Sequence, residues 1–207
     1  MPTTIDLEAV SRAPVSREPY DYVLGSNVLR SEVIDDLRRD FPPIEKSGYL
    51  TVDEVTLKGR FKTLIEELEG PDFTEALSQK FGRDLHPYPR LTTIMKRSAT
   101  KHGNPHTDGE AKIMTTLVYM NDAWESDGGG RLRVLYGMDV DKFATEVPPT
   151  MGTFFSFLRS DKSWHGHRPF AGERKVVQIA WVQNEAELER KKKRNAMAQM
   201  LKGVFGS

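Results

Sequence analysis

The chain contains five histidines (His86, His102, His106, His165 and His167) and no cysteine. A transition metal bound to it must therefore be held by nitrogen and oxygen. The first pairing with chemical potential is His106-Thr107-Asp108. On an extended chain, residues i and i+2 point to the same side, so an imidazole and a carboxylate can converge on one ion. A third ligand must come from elsewhere, and the segment His165-Gly166-His167 offers it from either histidine, since both have the same strand parity. Two imidazoles and a carboxylate on one face of a metal leave the other face open for O2 and a chelating co-substrate, as non-haem iron(II) oxygenases require. Taken alone, a His-x-Asp pair is as readily a turn histidine beside a capping aspartate.

Two further side chains support the metal reading. Arg174 lies nine residues after His165, at the mouth of a β-rich run from Val176 to Val182. Its guanidinium fork matches a carboxylate through two parallel charged hydrogen bonds. If the run alternates, Arg174, Val176, Gln178 and Ala180 share a face. Tyr119 ends the run that follows the His-x-Asp turn and shares a face with Ile113, Thr115 and Leu117, so its hydroxyl can reach the same interior. The plainer alternatives are a surface ion pair of Arg174 with Glu173, and a core tyrosine with a wet tip. Gly128 to Gly130 reads as a turn, and no Gly-Lys-Ser/Thr follows to make a phosphate loop. His102 reads as a loop residue bordering the entrance, His86 as an element boundary before Pro87, and Trp164 and Trp181 as core or cavity wall. Lys96, Arg97, Arg131 and Arg133 either line an approach for an acidic substrate or are surface charges on strands.

The elements that must position these residues fall into two groups. The first half reads largely helical. Val33, Ile34, Leu37 and Phe41 lie on one helical face ended by Pro42-Pro43, and Phe61, Leu64, Ile65 and Leu68 form a second stripe stopped by Gly70-Pro71. A third helix is expected from the N-cap Asp72, with Glu75 three positions on, to Gly82. From about Arg90 the pattern changes to short runs rich in β-branched and aromatic residues: 90–96, 112–120, 131–136, 153–158 and 176–182. Gly, Pro, Asn and Asp clusters separate them, which suggests a sandwich or jelly roll buttressed by helices. The tail returns to helix over 185–202, with Asn184 and Glu187 as a capping pair and Gly203 at its end. Glu187–Lys191 and Glu189–Lys193 are spaced as i,i+4 ion pairs, and the basic run 191–194 reads as a solvated helix face rather than a nucleic-acid patch. The organisation expected is a helical support region over 1–89, a β-core over 90–183 and a C-terminal helix over 184–207, all within one structural domain.

Composition sets the outer bounds. Of 207 residues, 30 are Lys or Arg and 30 Asp or Glu, so no net field recommends a nucleic-acid or membrane partner. Charged residues make up 29% and apolar ones 38%, a soluble globular profile, and no apolar run is long enough to span a membrane. The segment from Met1 to Pro14 lacks the basic and apolar halves of a signal peptide, which leads to the expectation of a cytoplasmic protein.

Four separated segments, in order, resemble the 2-oxoglutarate and iron(II)-dependent dioxygenase superfamily, in the branch similar to prolyl hydroxylases. They are HTDG from His106, TTLVYMN from Thr115 with Trp124 shortly after, GGGRLRV from Gly128, and GTFFSFLRSDKSWHGHRPFAGER from Gly152 to Arg174. The resemblance implies a double-stranded β-helix (jelly roll, cupin-like) flanked by helices. It implies Fe(II) held by His106, Asp108 and His165, and 2-oxoglutarate held at its distal carboxylate by Arg174 with Tyr119 as hydroxyl partner; ascorbate is an optional accessory. The segment Trp164-His165, followed by Pro169 and Arg174, fits the family pattern with His165 rather than His167 as ligand. No catalytic residue beyond the metal site is expected. Halogenating relatives replace the carboxylate by a small residue, so Asp108 implies hydroxylation, or another oxidation such as desaturation, of a small molecule or peptide, with release of succinate and CO2. The chain departs from many relatives in one stretch, Ile94-Met95-Lys96-Arg97, which carries no tyrosine upstream of the His-x-Asp turn. The competing readings are a non-catalytic cupin-like barrel that binds a small ligand beside a retained metal site, and a zinc hydrolase, for which no His-Glu-x-x-His helix is present.

Overall fold

The computed structural model describes residues 3–126 and 129–205. Met1, where the segment read for a signal peptide begins, and Gly128 of the expected turn lie outside them. Among the described residues there are five α-helices and ten strands; the helices are α1 (Leu7–Arg12), α2 (Ile34–Asp40), α3 (Gly59–Leu68), α4 (Pro71–Phe81) and α5 (Glu185–Phe205). Helix α3 buries the expected stripe of Phe61, Leu64, Ile65 and Leu68. Helix α4 starts earlier than expected. Gly70 is the N-cap and Pro71 takes the first helical position, where its missing N–H costs nothing and its fixed φ suits the helix; Asp72 lies in the first turn. The helix closes at Gly82 in the left-handed region (φ 63°). Helix α5 begins as expected, with Asn184 Oδ1 accepting the Glu187 N–H at 3.0 Å, but runs through Gly203 to Phe205. A helix-interior glycine costs only ~1 kcal/mol.

Ten strands form two antiparallel sheets. The strands are β1 (Val15–Ser16), β2 (Tyr22–Gly25), β3 (Leu50–Thr51), β4 (Arg90–Ser98), β5 (Lys112–Tyr119), β6 (Leu132–Leu135), β7 (Phe143–Val147), β8 (Phe154–Leu158), β9 (His165–Gly166) and β10 (Gly172–Val182). The major sheet has the order β1-β2-β8-β5-β10-β4-β3 and the minor sheet β7-β6-β9. The first half of the chain thus supplies more than helices, since β1 and β2 extend one side of the major sheet and β3 the other.

Strand parity divides the major sheet into two faces. Met114 and Val118 of β5, Phe154 of β8, and Val177, Ile179 and Trp181 of β10 join the large cluster formed with α1 to α4. Leu117, Tyr119, Phe155, Phe157 and Val176 point the other way and pack with Leu132, Val134 and Val147 of the minor sheet. Because both faces are covered, the central strands read as nearly continuous apolar runs. Each fully buried Leu, Val or Phe here contributes roughly 1.5–3 kcal/mol relative to exposure. A mainly β core of two facing sheets, flanked by helices, is the double-stranded β-helix expected, and its mouth lies between β5, β9 and β10.

Candidate functional site

His106 follows the loop after β4, and His165 opens β9. Their backbones form one antiparallel hydrogen-bonded pair: His106 N–H donates to the His165 carbonyl at 3.0 Å and His165 N–H to the His106 carbonyl at 2.9 Å. Side chains of such a pair lie on the same face, and the two imidazole centroids are 4.4 Å apart. Asp108 joins them two residues on, so that His106, Asp108 and His165 each bring a ligand atom within 4.8 Å of the others. His167, the alternative on parity, lies outside this group.

The protonation states suit a metal. Nδ1 of His106 is 2.8 Å from the Asn104 carbonyl and Nδ1 of His165 is 2.9 Å from the Ser163 carbonyl, in each case two residues back. A carbonyl only accepts, so each Nδ1 carries a proton, and Nε2 is the nitrogen left to face an ion. Burial pushes His165 down to about 4, partly opposed by Asp108, so it is neutral at ordinary pH. Burial would raise Asp108, but the Lys112 ammonium, His165, and hydrogen bonds from Lys112 and Thr115 hold it below the usual carboxylate range. Lys112 Nζ reaches Oδ1 at 2.7 Å and Thr115 Oγ1 reaches Oδ2 at 2.6 Å. Each oxygen therefore retains a lone pair for an ion.

These residues line a cavity of about 340 Å³ that also contains Arg174, His102, His167, Met95, Leu117 and Gln178. Arg174 is 2% exposed. Its Nε donates to the Gly130 carbonyl and its Nη2 to the Tyr119 hydroxyl, both at 2.9 Å. Glu173, the neighbour with which it might have paired, instead meets Lys175 at 2.8 Å. Among the described residues no carboxylate lies within ion-pair distance of Arg174. A guanidinium has five N–H donors, so donors remain for a ligand. Burial pushes Tyr119 up to about 12 against the pull of Arg174, which keeps its phenol protonated.

Tyr49 was not read from the sequence, and it hydrogen-bonds Arg174. Leu50 pairs with Ile94, which sets Tyr49 beside Met95. Tyr49, the residue before β3, thus stands beside the stretch Ile94-Met95-Lys96-Arg97 that carries no tyrosine. Only the register of the two-residue β3 shows this, and no local pattern marks it. His167 donates its N–H to the Gly103 carbonyl at 2.7 Å and packs so closely that a Cβ on Gly103 (φ 80°) would lie 2.0 Å from its Nε2.

The other cations expected near an acidic substrate are elsewhere. Arg133 is buried in ion pairs with Asp141 at 2.7 Å and Glu146 at 2.8 Å, and Arg97 is exposed. The basic run of α5 also differs from a solvated face, because Lys191 is only 5% exposed and does not pair with Glu187, which takes Arg190 at 2.6 Å. Trp181 is fully buried against the helices, as a core residue.

Residues 93–183 match the family model described as the 2OG-Fe(II) oxygenase superfamily. No curated protein matches the chain by sequence. A prolyl 4-hydroxylase from Phytophthora capsici superposes with a TM-score of 0.56 at 18% identity, over 88% of this chain and 64% of that one. A Pseudomonas putida prolyl-4-hydroxylase superposes with a TM-score of 0.56 at 16% identity, over 86% of this chain and 97% of that one. The chain therefore spans about two thirds of the first enzyme and nearly all of the second, and the likeness is one of fold. Among the described residues no helix is long and apolar enough to cross a membrane.

Proposed function

We propose, for a chain whose residues 93–183 belong to the 2OG-Fe(II) oxygenase superfamily, that the protein is an iron(II)- and 2-oxoglutarate-dependent hydroxylase. His106, Asp108 and His165 would hold the metal, and Arg174, with Tyr119 and Tyr49, the distal carboxylate of the co-substrate. One observation carries the reading. A buried guanidinium without a carboxylate partner shares a cavity with three converging ligand atoms. An unpaired buried charge is costly, so the site is built around an anion that the chain does not supply.

Bound Fe(II) and 2-oxoglutarate would supply the oxidising chemistry, in which O2, the 2-oxo acid and a C–H bond give succinate, CO2 and an alcohol. The chain's residues do the rest. The two Nδ1 contacts present each Nε2 lone pair in a fixed direction. Arg174 and Tyr119 set the orientation of a dicarboxylate through charged and neutral hydrogen bonds. Phe157, its ring tilted against the His165 ring at 4.6 Å between centroids, and the apolar Leu117, Leu132 and Met95 keep water from the metal side. The volume left beside a co-substrate suits a small molecule or one side chain of a peptide.

The test is separation of two affinities in Arg174→Ala. With Mn(II) in place of iron, calorimetry should show metal binding retained and 2-oxoglutarate binding weakened roughly 30-fold or more, as for truncation of a buried charge pair. The wild type supplied with Fe(II), ascorbate and 2-oxoglutarate should form succinate, and Asp108→Ala should form none. Equal loss of metal and co-substrate in Arg174→Ala would make the arginine structural, and succinate from Asp108→Ala would put the metal elsewhere.

A further inference from the structure

We infer that the substrate presents an anionic group, a carboxylate or a phosphate, to the ammonium groups of Lys191 and Lys112 at the metal end of the cavity. The inference rests on the hydroxylase reading above, because it takes the cavity as the place of oxidation.

Lys191 is the unusual member of its run. Lys192 meets Asp53 at 3.5 Å and Glu189 at 3.8 Å, Arg190 meets Glu187, and Lys193 and Arg194 are exposed. Lys191 alone in the run is buried, at 5% exposure, and among the described residues it makes no ion pair or hydrogen bond. The charges that act on it most are the cations Lys112, Arg194 and Arg190 and the carboxylate of Asp108. That carboxylate is already engaged by Lys112 at 2.7 Å and would be shared with a metal. Burial, and after it the field of Lys112, lower the proton affinity of Lys191, so its charged form would be favoured by an anion beside it.

Position ties this surplus to the cavity. Lys112 lines it directly, and so does Asn195, which lies one helical turn beyond Lys191 on α5. Metal binding would draw on the Asp108 charge and leave Lys112 less compensated as well. Lys112 and Asn195 line the cavity together with the metal-ligand group, and Lys191 stands one helical turn from Asn195 on the same face of α5. A substrate anion there would complete the charge balance and fix which C–H bond is presented.

The experiment uses the full chain loaded with Mn(II) and 2-oxoglutarate, so that Arg174 is occupied, and acetate and methyl phosphate as minimal anions at constant ionic strength against chloride. The expected result is a rise in melting temperature of about 2–4 °C at roughly ten times the anion's Kd. Lys191→Met should weaken anion affinity at least ten-fold and Lys191→Arg should retain it, with Mn(II) and 2-oxoglutarate affinities unchanged in both. The larger response, to acetate or to methyl phosphate, distinguishes a carboxylate from a phosphorylated substrate. No response to either anion, or equal responses in wild type and Lys191→Met, would overturn the proposal. Failure of the wild type to bind 2-oxoglutarate would instead overturn the hydroxylase reading, and is read in a separate titration.

Discussion

Asp108 stays ionised while His165 beside it and His167 in the same cavity stay neutral, and this opposition follows from burial with very different partners. Both histidines are pushed to about 4 by burial, His165 against Asp108 and His167 in the repulsive field of Arg174. In the unfolded chain they titrate near 6.5. Between those values the unfolded state binds more protons, so stability is fully present above about pH 6.5 and is lost as pH falls toward 4. Each histidine contributes on the order of 3 kcal/mol across that window. Urea unfolding of the metal-free chain should show the midpoint falling steeply from pH 6.5 to 4, and His167→Asn should remove about half of the slope. A midpoint constant over that range would mean that these imidazoles are solvated. At this scale the sequence was legible where chemistry follows from adjacency. The i, i+2 spacing brought out His106 and Asp108, and strand parity brought out Arg174 and Tyr119. Tyr49, Lys112 and Asn195 were not legible, because strand register or helix packing brings each to the cavity.

Strand β9 is two residues long, yet it carries the distal histidine, and what fixes it is the close approach of Gly166 to the loop before His106. A Cβ on Gly166 would lie 2.8 Å from the Gly103 carbonyl oxygen and 2.8 Å from the Pro105 Cα, both backbone atoms that cannot swing aside. Gly166→Ala must therefore push β9 off that loop and stretch the His106–His165 backbone pair. Metal affinity should fall roughly 10–100-fold, as for other disturbances behind a ligand. Gly109→Ala is the control, since its Cβ would meet nothing within 4 Å and its metal affinity should stay at the wild-type value. Chelator competition reads both, and equal affinities in the two variants would show that β9 is not held by this contact. Long, doubly covered strands such as β5 and β10 and the striped helices α3 and α4 were readable because their periods repeat several times. Strands of two residues, such as β1, β3 and β9, show no period at all, and β7, with two exposed residues at its start, shows little.

In the whole molecule, helices α1 to α4 share a large cluster with the major sheet, whereas among the described residues α5 joins a cluster of three. Its apolar anchor is the small group Leu91, Val182 and Leu188, helped by the Lys192–Asp53 ion pair across to the turn after β3. The helices of the first half, the β-rich second half and the C-terminal helix were legible from the sequence, but the short strands β1 to β3 among the first helices were not. The packing of the C-terminal helix beside the site was not legible either, because a strongly charged helix reads as solvated whichever face it buries. Stability is uneven in such a fold, and α5 should open without the barrel opening. Leu188, 8% exposed, is the residue that decides it. Leu188→Ala should cost about 2 kcal/mol, at the low end for buried leucines because the cluster is small. If that loss is local, amide exchange over residues 185–195 should accelerate about 30-fold while β5 and β10 exchange as in the wild type. The same variant should keep its affinity for 2-oxoglutarate, whose proposed anchor Arg174 is on β10, and lose affinity for acetate or methyl phosphate along with the docked Lys191. Equal acceleration in α5 and in the central strands would show instead that the helix belongs to the cooperative core, and that the metal end of the cavity has a rigid wall.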